Sequence, residues 1–370
     1  MKILLNTPDM RLIGGVAAFC TTLKNNLKCD TDIFISGPRD KSNSKTNTLL
    51  RMLMDYVKYF IIMAGKQYDV VHINPSFRVR SLIRDAGFVL LAKCFRKKVV
   101  VFIHGWDMDL EQRLRQRWLW LFRWAYFHTD AFVVLANDFR KRLQSMGYAG
   151  PVYLGRTAID NSLLSFFECN ELSNYRSNGS FNILFLSRIV KEKGIIEALE
   201  SYAILKSKNP NVKMTVAGDG KGLEEAKKLV TDQKIADVQF VGYVTGEDKA
   251  KVFRNADCYL FPSYEEGMPI SVIEAMAFGL PVITRPVGAL ADFFENGIMG
   301  YLTESKSPEL LADLVKKLID DPVLCDKMSR YNRQYVSEHF SAAFVAAYIK
   351  TIYSDILNSN RVGIVTRQDL

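Results

Sequence analysis

Short apolar, β-branched runs recur along the chain, each followed by a longer segment with helical spacing, and the whole pattern occurs twice. In the first half the runs are Lys2–Asn6, Asp32–Ser36, Val70–Asn74, Val99–His104, Ala131–Ala136 and Pro151–Leu154. In the second half they are Asn182–Ser187, Val212–Ala217, Val238–Gly242, Cys258–Pro262, Pro281–Thr284 and Gly300–Thr303. They are continuous rather than alternating, as in strands covered on both faces. Strand–helix alternation predicts a parallel, doubly wound α/β sheet. Two sets predict two Rossmann-like domains facing each other across a cleft, with ligands bound beyond the carboxyl ends of the strands. The polar segment Glu168–Ser180 reads as the linker. Residues 1–170 then form the first domain and residues 171–340 the second. Residues 341–370 supply a C-terminal helix, with Phe344, Ala347, Tyr348, Thr351, Ile352 and Ile356 at helical spacing, expected to pack back on the first domain.

Length agrees with this division, since 370 residues exceed the size at which one core stops growing. A hydrophobic share of 48% and a charged share of 24% exclude wholesale disorder, collagen and coiled coil. No apolar run approaches the ~18 residues of a membrane-spanning helix. The stretch Met1–Leu5 is too short for a signal peptide. None of the six cysteines forms a Cys-x-x-Cys pair, so neither a disulfide framework nor a zinc site is expected, and a cytoplasmic location is.

The charge is uneven. Residues 1–180 hold 26 Lys+Arg against 15 Asp+Glu, whereas the remainder holds 23 against 25. An acidic surface or ligand near the first half follows, such as anionic lipid or phosphate. All four tryptophans, Trp106, Trp118, Trp120 and Trp124, lie in one stretch with Arg113, Arg115, Arg117 and Arg123. Such a mixture suits a helix lying on a membrane surface, and it equally suits a core helix with snorkelling arginines. Trp106, Arg113, Arg117 and Trp118 are the candidate membrane or acceptor contacts, and Arg51–Lys66 is a second basic, apolar stretch. The basic strip does not continue into the second half, so nucleic acid is not an expected partner.

The strongest local signal runs from Pro262 to Ile283. A strand ends at Pro262, a loop carries Glu266 and Gly267, a helix starts near Pro269, and Gly279-Leu280-Pro281 stops it. The backbone N–H groups of Gly267-Met268-Pro269-Ile270, where a residue has one, lie at a helix N-terminus, a ready anion site. Glu274 lies two turns on, where a carboxylate can accept two hydrogen bonds from a diol such as ribose.

The spacing Glu266-x7-Glu274, within Pro-Ser-x-x-Glu-Gly-x-Pro and Glu-Ala-Met-Ala-x-Gly-x-Pro-Val-Ile, resembles the signature of the retaining glycosyltransferases of family 4, group 1. The resemblance implies the GT-B fold and a nucleotide-diphosphate-sugar donor. It implies that Glu266 contacts donor hydroxyls and Glu274 the ribose. Arg188 and Lys193, just past the first strand of the second half, resemble the family's diphosphate clamp. Fixed cations there stabilise the charge a departing diphosphate gains. Gly218-Asp219-Gly220 resembles the turn bordering the nucleotide, and Gly242 lies where backbone holds the base. Gly14 and Gly15 match a pair that meets donor phosphate or acceptor, and His104 matches a histidine near the donor sugar.

Asp107-Met108-Asp109 has the spacing of a metal triplet, but its place after a first-half strand reads as a solvated or helix-capping pair. No metal or other cofactor is expected. The sequence departs from the family pattern at Arg156-Thr157-Ala158-Ile159-Asp160, and at Arg285, where a small or acidic residue is usual; the latter bears on donor preference. The expected activity is sugar transfer to a glycan or lipid-linked acceptor, with an anionic membrane surface at the inner membrane face as a further partner. The rivals are a nucleotide-sugar epimerase on the same fold and a silent membrane-associated scaffold that binds nucleotide sugar.

Overall fold

The computed structural model describes residues 1–12, 14–37, 45–159, 163 and 179–358, with residues 45–49 described by backbone alone. The chain forms two compact units. Unit 1 is Met1–Ala158 together with the chain from Ala342 onward, and unit 2 is Ile159–Ser341. The boundary expected at 170/171 and most of the proposed linker lie outside the described residues.

Unit 1 begins with β1 (Lys2–Thr7), α1 (Gly15–Asn26), β2 (Asp30–Ile35), α2 (Lys45–Gly65), β3 (Val70–Ile73) and α3 (Val79–Cys94). It continues with β4 (Lys98–Ile103), α4 (Met108–Arg113), a π-turn at Leu114–Trp118, α5 (Leu119–Tyr126), β5 (Ala131–Val134), α6 (Asn137–Ser145) and β6 (Val152–Leu154). All six strands are parallel, in the order β2-β1-β3-β4-β5-β6. The central strands β3, β4 and β5 are almost wholly buried Val, Ile, Phe and Ala, which explains their continuous apolar runs.

Unit 2 contains β7 (Phe181–Leu186), α7 (Ile195–Lys208), β8 (Val212–Ala217), α8 (Leu223–Asp232), β9 (Val238–Gly242), α9 (Gly246–Arg254) and β10 (Cys258–Phe261). There follow α10 (Ile270–Ala277), β11 (Val282–Thr284), α11 (Leu290–Phe293), β12 (Gly300–Leu302), α12 (Pro308–Asp320) and α13 (Pro322–Phe340). Its six parallel strands run β12-β11-β10-β7-β8-β9. Pro322 opens α13 with Asp321 accepting from Leu324 N, a standard helix start.

All twelve predicted strands are present, shifted by two residues at most at either end. The fold class is thus α/β, with two Rossmann-like, doubly wound units. The last helix, α14 (Ala342–Asn358), returns to unit 1 and packs on α1. Its Tyr353 is fully buried there and hydrogen-bonds to Nδ1 of His72.

Candidate functional site

In unit 2 the strand order reverses between β7 and β10. At such a point the loops leaving the two strands diverge and open a crevice. The β7 loop carries Arg188 and Lys193, and the β10 loop carries Glu266. Their backbones are tied, Tyr264 N–H donating to the Glu192 carbonyl at 2.9 Å. At Gly194, φ is +74°, and a Cβ would stand 2.3 Å from the Pro262 carbonyl oxygen, so glycine alone allows this approach. Lys193 Nζ thereby reaches Glu266 Oε1 at 2.5 Å and the Glu265 carbonyl at 3.1 Å. Ser263 Oγ donates to the same Glu266 oxygen at 2.9 Å.

A second pair stands beside the first. Glu274, buried on α10, accepts from Lys249 Nζ of α9 at 2.6 Å. The helix is anchored by Tyr259, whose hydroxyl donates to the Leu186 carbonyl at 2.7 Å and meets Ser271 Oγ at 2.8 Å. Burial raises that phenol well above its ordinary pKa, so it stays a donor. A cavity of about 290 Å³ lies against these residues, its wall including Arg188, Gly218, Asp219, Tyr243, Lys249 and Glu274. Gly218 has φ +138°, and a Cβ there would lie 1.8 Å from the Ser187 carbonyl oxygen. Its N–H donates to the Gly242 carbonyl at 2.7 Å, and Ile189 N–H donates to the Asp219 carbonyl at 2.9 Å, which ties the ends of β7, β8 and β9 together. Arg188 is exposed on this wall and forms no ion pair among the described residues. Both lysines have carboxylate partners, whereas Arg188 has none among the described residues and is open to an anionic ligand.

Gly267, Met268, Pro269 and Ile270 form the approach to α10, with Pro269 as its N-cap and the Gly267 carbonyl accepting from Ala289 N at 2.8 Å. Thus unit 2 gathers Arg188, Gly218, Asp219 and Glu274 around the cavity and joins Lys193 to Glu266 at the crevice.

Unit 1 reverses strand order between β1 and β3. Here the groups are mostly neutral. His104, directly after β4, puts Nε2 2.8 Å from Asn74 Oδ1 and stacks on Phe102 at 4.0 Å. Asn74 Nδ2 donates to the Asn6 carbonyl at 3.0 Å, so Oδ1 is its accepting end and His104 Nε2 carries the proton. Nδ1 of His104 is then a hydrogen-bond acceptor. Burial, aided by nearby His72, pushes the His104 pKa down to about 3, which keeps the ring neutral. Phe19 of α1 meets the same ring edge-on at 4.9 Å, bringing the helix that opens at Gly14 and Gly15 against His104.

Residues 16–162 match the glycosyltransferase family 4 family, and residues 173–335 match the glycosyl transferases group 1 family. The chain belongs to the family 4, group 1 glycosyltransferases. It is 28% identical over 229 residues to the capsular polysaccharide biosynthesis glycosyltransferase CapM of Staphylococcus aureus, covering 61% of this chain and 58% of that one. It is 32% identical over 157 residues to a D-inositol 3-phosphate glycosyltransferase of Pseudarthrobacter chlorophenolicus, covering 41% and 37%. The matched part therefore spans only about a third to three fifths of these relatives. Among solved structures, Anabaena Alr3699/HepE in complex with UDP and glucose superimposes with a TM-score of 0.71 at 18% identity, over 96% of this chain and 99% of that one. Sucrose-phosphate synthase from Thermosynechococcus elongatus does so with 0.74 at 18%, over 97% and 99%. At that identity the likeness concerns the fold, GT-B.

Three residues singled out in the sequence have defined partners in the structure. Arg285 is buried, and its guanidinium donates to the carbonyls of Pro262 at 2.9 Å, Glu304 at 2.9 Å and Ser305 at 2.7 Å. It also stacks over the Tyr264 ring at 4.4 Å. It is a clamp on the loop that carries Glu266. Trp106, one of the candidate membrane or acceptor contacts, is half-buried, stacked on Phe77 at 4.2 Å with its N–H donating to Glu111 at 2.6 Å. Arg113, Arg117 and Trp118 are exposed. Asp107 caps α4 by accepting from Leu110 N at 2.8 Å, one of the two readings of the Asp-x-Asp triplet. Sequence reasoning missed Lys249 and Asn74. Lys249 sits among Glu247, Asp248 and Lys251, which read as an ordinary solvated helix face, and Asn74 reads as the end of a strand.

Proposed function

We propose that the chain is a retaining glycosyltransferase that moves a sugar from a nucleotide-diphosphate donor to a glycan or lipid-linked glycan acceptor. The observation that carries this reading is the pairing of Lys193 with Glu266 and Lys249 with Glu274 where the strand order of unit 2 reverses, with Arg188 left open beside the cavity. Glu274 accepts the ribose hydroxyls, and Arg188 and Lys193 face the diphosphate. The loop at Gly218 and Asp219 borders the nucleotide. Glu266, its Oε1 held by a cation and a serine hydroxyl, grips sugar hydroxyls and is a poor nucleophile. The bond from the anomeric carbon to the diphosphate oxygen breaks as the acceptor oxygen adds on the same face. The acceptor proton passes to the departing diphosphate. Two cations and the amino end of α10 carry the growing charge, so the reading needs no metal. His104 offers Nδ1 to a substrate hydroxyl. The crystal complexes of Alr3699/HepE with UDP and UDP-glucose favour a nucleotide-sugar donor, and the name of CapM favours a polysaccharide product.

The test is a thermal-shift panel with UDP, GDP and ADP. A ligand at ~100 times its Kd stabilises by about 2.7 kcal/mol, a visible shift. The expected result is a shift with one nucleotide, abolished in Glu274→Ala and reduced in Arg188→Ala. No shift with any of the three overturns the reading, and a shift without sugar transfer favours the silent scaffold. Retention is then read from the anomeric configuration of the product by NMR.

A further inference from the structure

One face of unit 1 is built against the usual rule for a helix on a soluble protein. The buried side of α2 carries Asp55, Tyr59 and Met63. Its opposite side carries Leu50, Leu53, Met54, Val57, Phe60 and Ile61, each at least half exposed. These six recur at intervals of three and four residues, so they form one stripe along the helix. A helix apolar on both sides normally has something covering each.

The stripe is not isolated. Helix α2 packs on α3, and α3 packs on α5. Tyr56 of α2 donates to the Arg84 carbonyl at 2.8 Å, and Tyr126 of α5 to the Leu82 carbonyl at 2.7 Å, so α3 is pinned between the other two. Right-handed crossovers put these three helices on the same side of the sheet. Their outer surface adds Ile83 of α3, at 61% exposure, and Trp118, Trp120, Leu121 and Trp124, at 41–69%. The π-turn creates the aromatic part. In an unbroken helix Trp118 would share the buried side of Leu114 and Phe122, four residues away in each direction. The extra residue in the turn rotates it outward.

The charge around this surface is of one sign. Residues 45–127 hold 15 Lys+Arg against 6 Asp+Glu. Three of those six acids, Asp55, Asp85 and Glu111, are buried, and the last holds Arg115 and Arg142 inside unit 1. Lys58, Arg80, Arg113 and Arg117 are exposed. A second copy of this chain would bring the same positive charge against itself, whereas an anionic leaflet complements it.

We infer that the outer face of α2, α3 and α5 docks on an anionic lipid bilayer, with the α2 stripe and the three exposed tryptophans in the headgroup–acyl boundary and the basic residues on the phosphates. Interfacial helices bind by this combination of apolar burial and cationic attraction, and the cytoplasmic leaflet supplies the negative potential. The inference concerns unit 1 alone and goes beyond the transfer reading, which rests on unit 2.

The experiment is flotation of the full chain with phosphatidylcholine vesicles, with and without phosphatidylglycerol, while tryptophan emission is recorded. Three of the four tryptophans lie on the face, so emission should shift to the blue with the anionic vesicles. Val57→Asp with Phe60→Asp should weaken partition by about tenfold or more. Both positions are exposed, and UDP titration and the melting curve of this variant should match the parent chain. Trp120→Ser with Trp124→Ser is the independent second variant and should also weaken partition. Absence of flotation on anionic vesicles overturns the inference. So does light scattering that shows a dimer lost in the Val57→Asp, Phe60→Asp variant, which would make a second copy the occupant. Failure of UDP, GDP and ADP alike to bind the parent chain tells against the transfer reading and leaves the flotation result standing.

Discussion

At the carboxyl edge of the unit 2 sheet, the loops after β7 and β10 pair Lys193 with Glu266, and α9 and α10 pair Lys249 with Glu274, with Arg188 beside the cavity. At the corresponding edge of unit 1, the groups turned inward are His72, Asn74 and His104, with the Asp9–Arg11 pair the charged exception. The outer surfaces differ in the same sense. Unit 2 lies in the half of the chain with nearly balanced charge, whereas unit 1 presents a basic face with an apolar stripe. One scaffold thus supports two kinds of surface because its strands fix only where the loops emerge. Charged pairs suit a site that holds phosphates, and neutral acceptors suit one that meets hydroxyls.

The largest effect that would sharpen this contrast is on catalysis. Lys193→Met or Glu266→Gln should lower sugar transfer by about a hundredfold to a thousandfold, as loss of a preorganised charge does. His104→Phe, which removes one neutral hydrogen bond, should cost about tenfold. Steady-state rates on the donor named by nucleotide binding measure both, and equal losses would break the distinction.

Next in size is the clamp. Arg285→Met strips donors from three carbonyls in a buried setting and should destabilise unit 2 by about 3 kcal/mol. Hydrogen exchange should show the loss in peptides around Pro262–Gly267 and spare unit 1. A change under about 1 kcal/mol would remove Arg285 from the structural account.

Acidification should act on the opposite unit. Burial holds both His72 and His104 near a pKa of about 3, against an ordinary value of 6.5. Below pH ~6.5 the unfolded chain takes up protons that the folded form refuses, so stability falls with pH down to about 3 and is flat above ~6.5. Hydrogen exchange at pH 7 and pH 5 should show unit 1 loosening first. Equal loosening of both units would mean that carboxylates rather than these histidines dominate.

The smallest effect is expected on the outer face of unit 1. Val57→Ser or Trp120→Ser should change the free-chain stability by less than about 0.5 kcal/mol, since neither side chain is buried. A loss near that of a core truncation, 3 kcal/mol or more, would show the face covered in solution.

Much of unit 2 was legible because its chemistry is local. Glu266, Gly267 and Glu274 fall within one strand–loop–helix, and Arg188 and Lys193 within one turn of another. Lys249 was not legible, because its role depends on α9 lying beside α10, which no spacing along the chain expresses. The clamp of Arg285 was not legible for the same reason, its partners at Pro262, Glu304 and Ser305 being 23, 19 and 20 residues away. In unit 1 the Trp-rich stretch looked ambiguous because a single helical period was applied across it. The π-turn at Leu114–Trp118 breaks that period and separates buried Phe122 and Tyr126 from exposed Trp118, Trp120 and Trp124.

From the order of residues alone come the twelve strands, their parallel class, two units and the glutamate pair, because burial on both faces and glycine-punctuated loops leave marks within a few residues. Strand order, the two lysine–glutamate pairs, the carbonyl clamp of Arg285 and the neutral state of His104 were decided by the tertiary structure. Each depends on which groups share a desolvated space, and that follows from how distant segments pack.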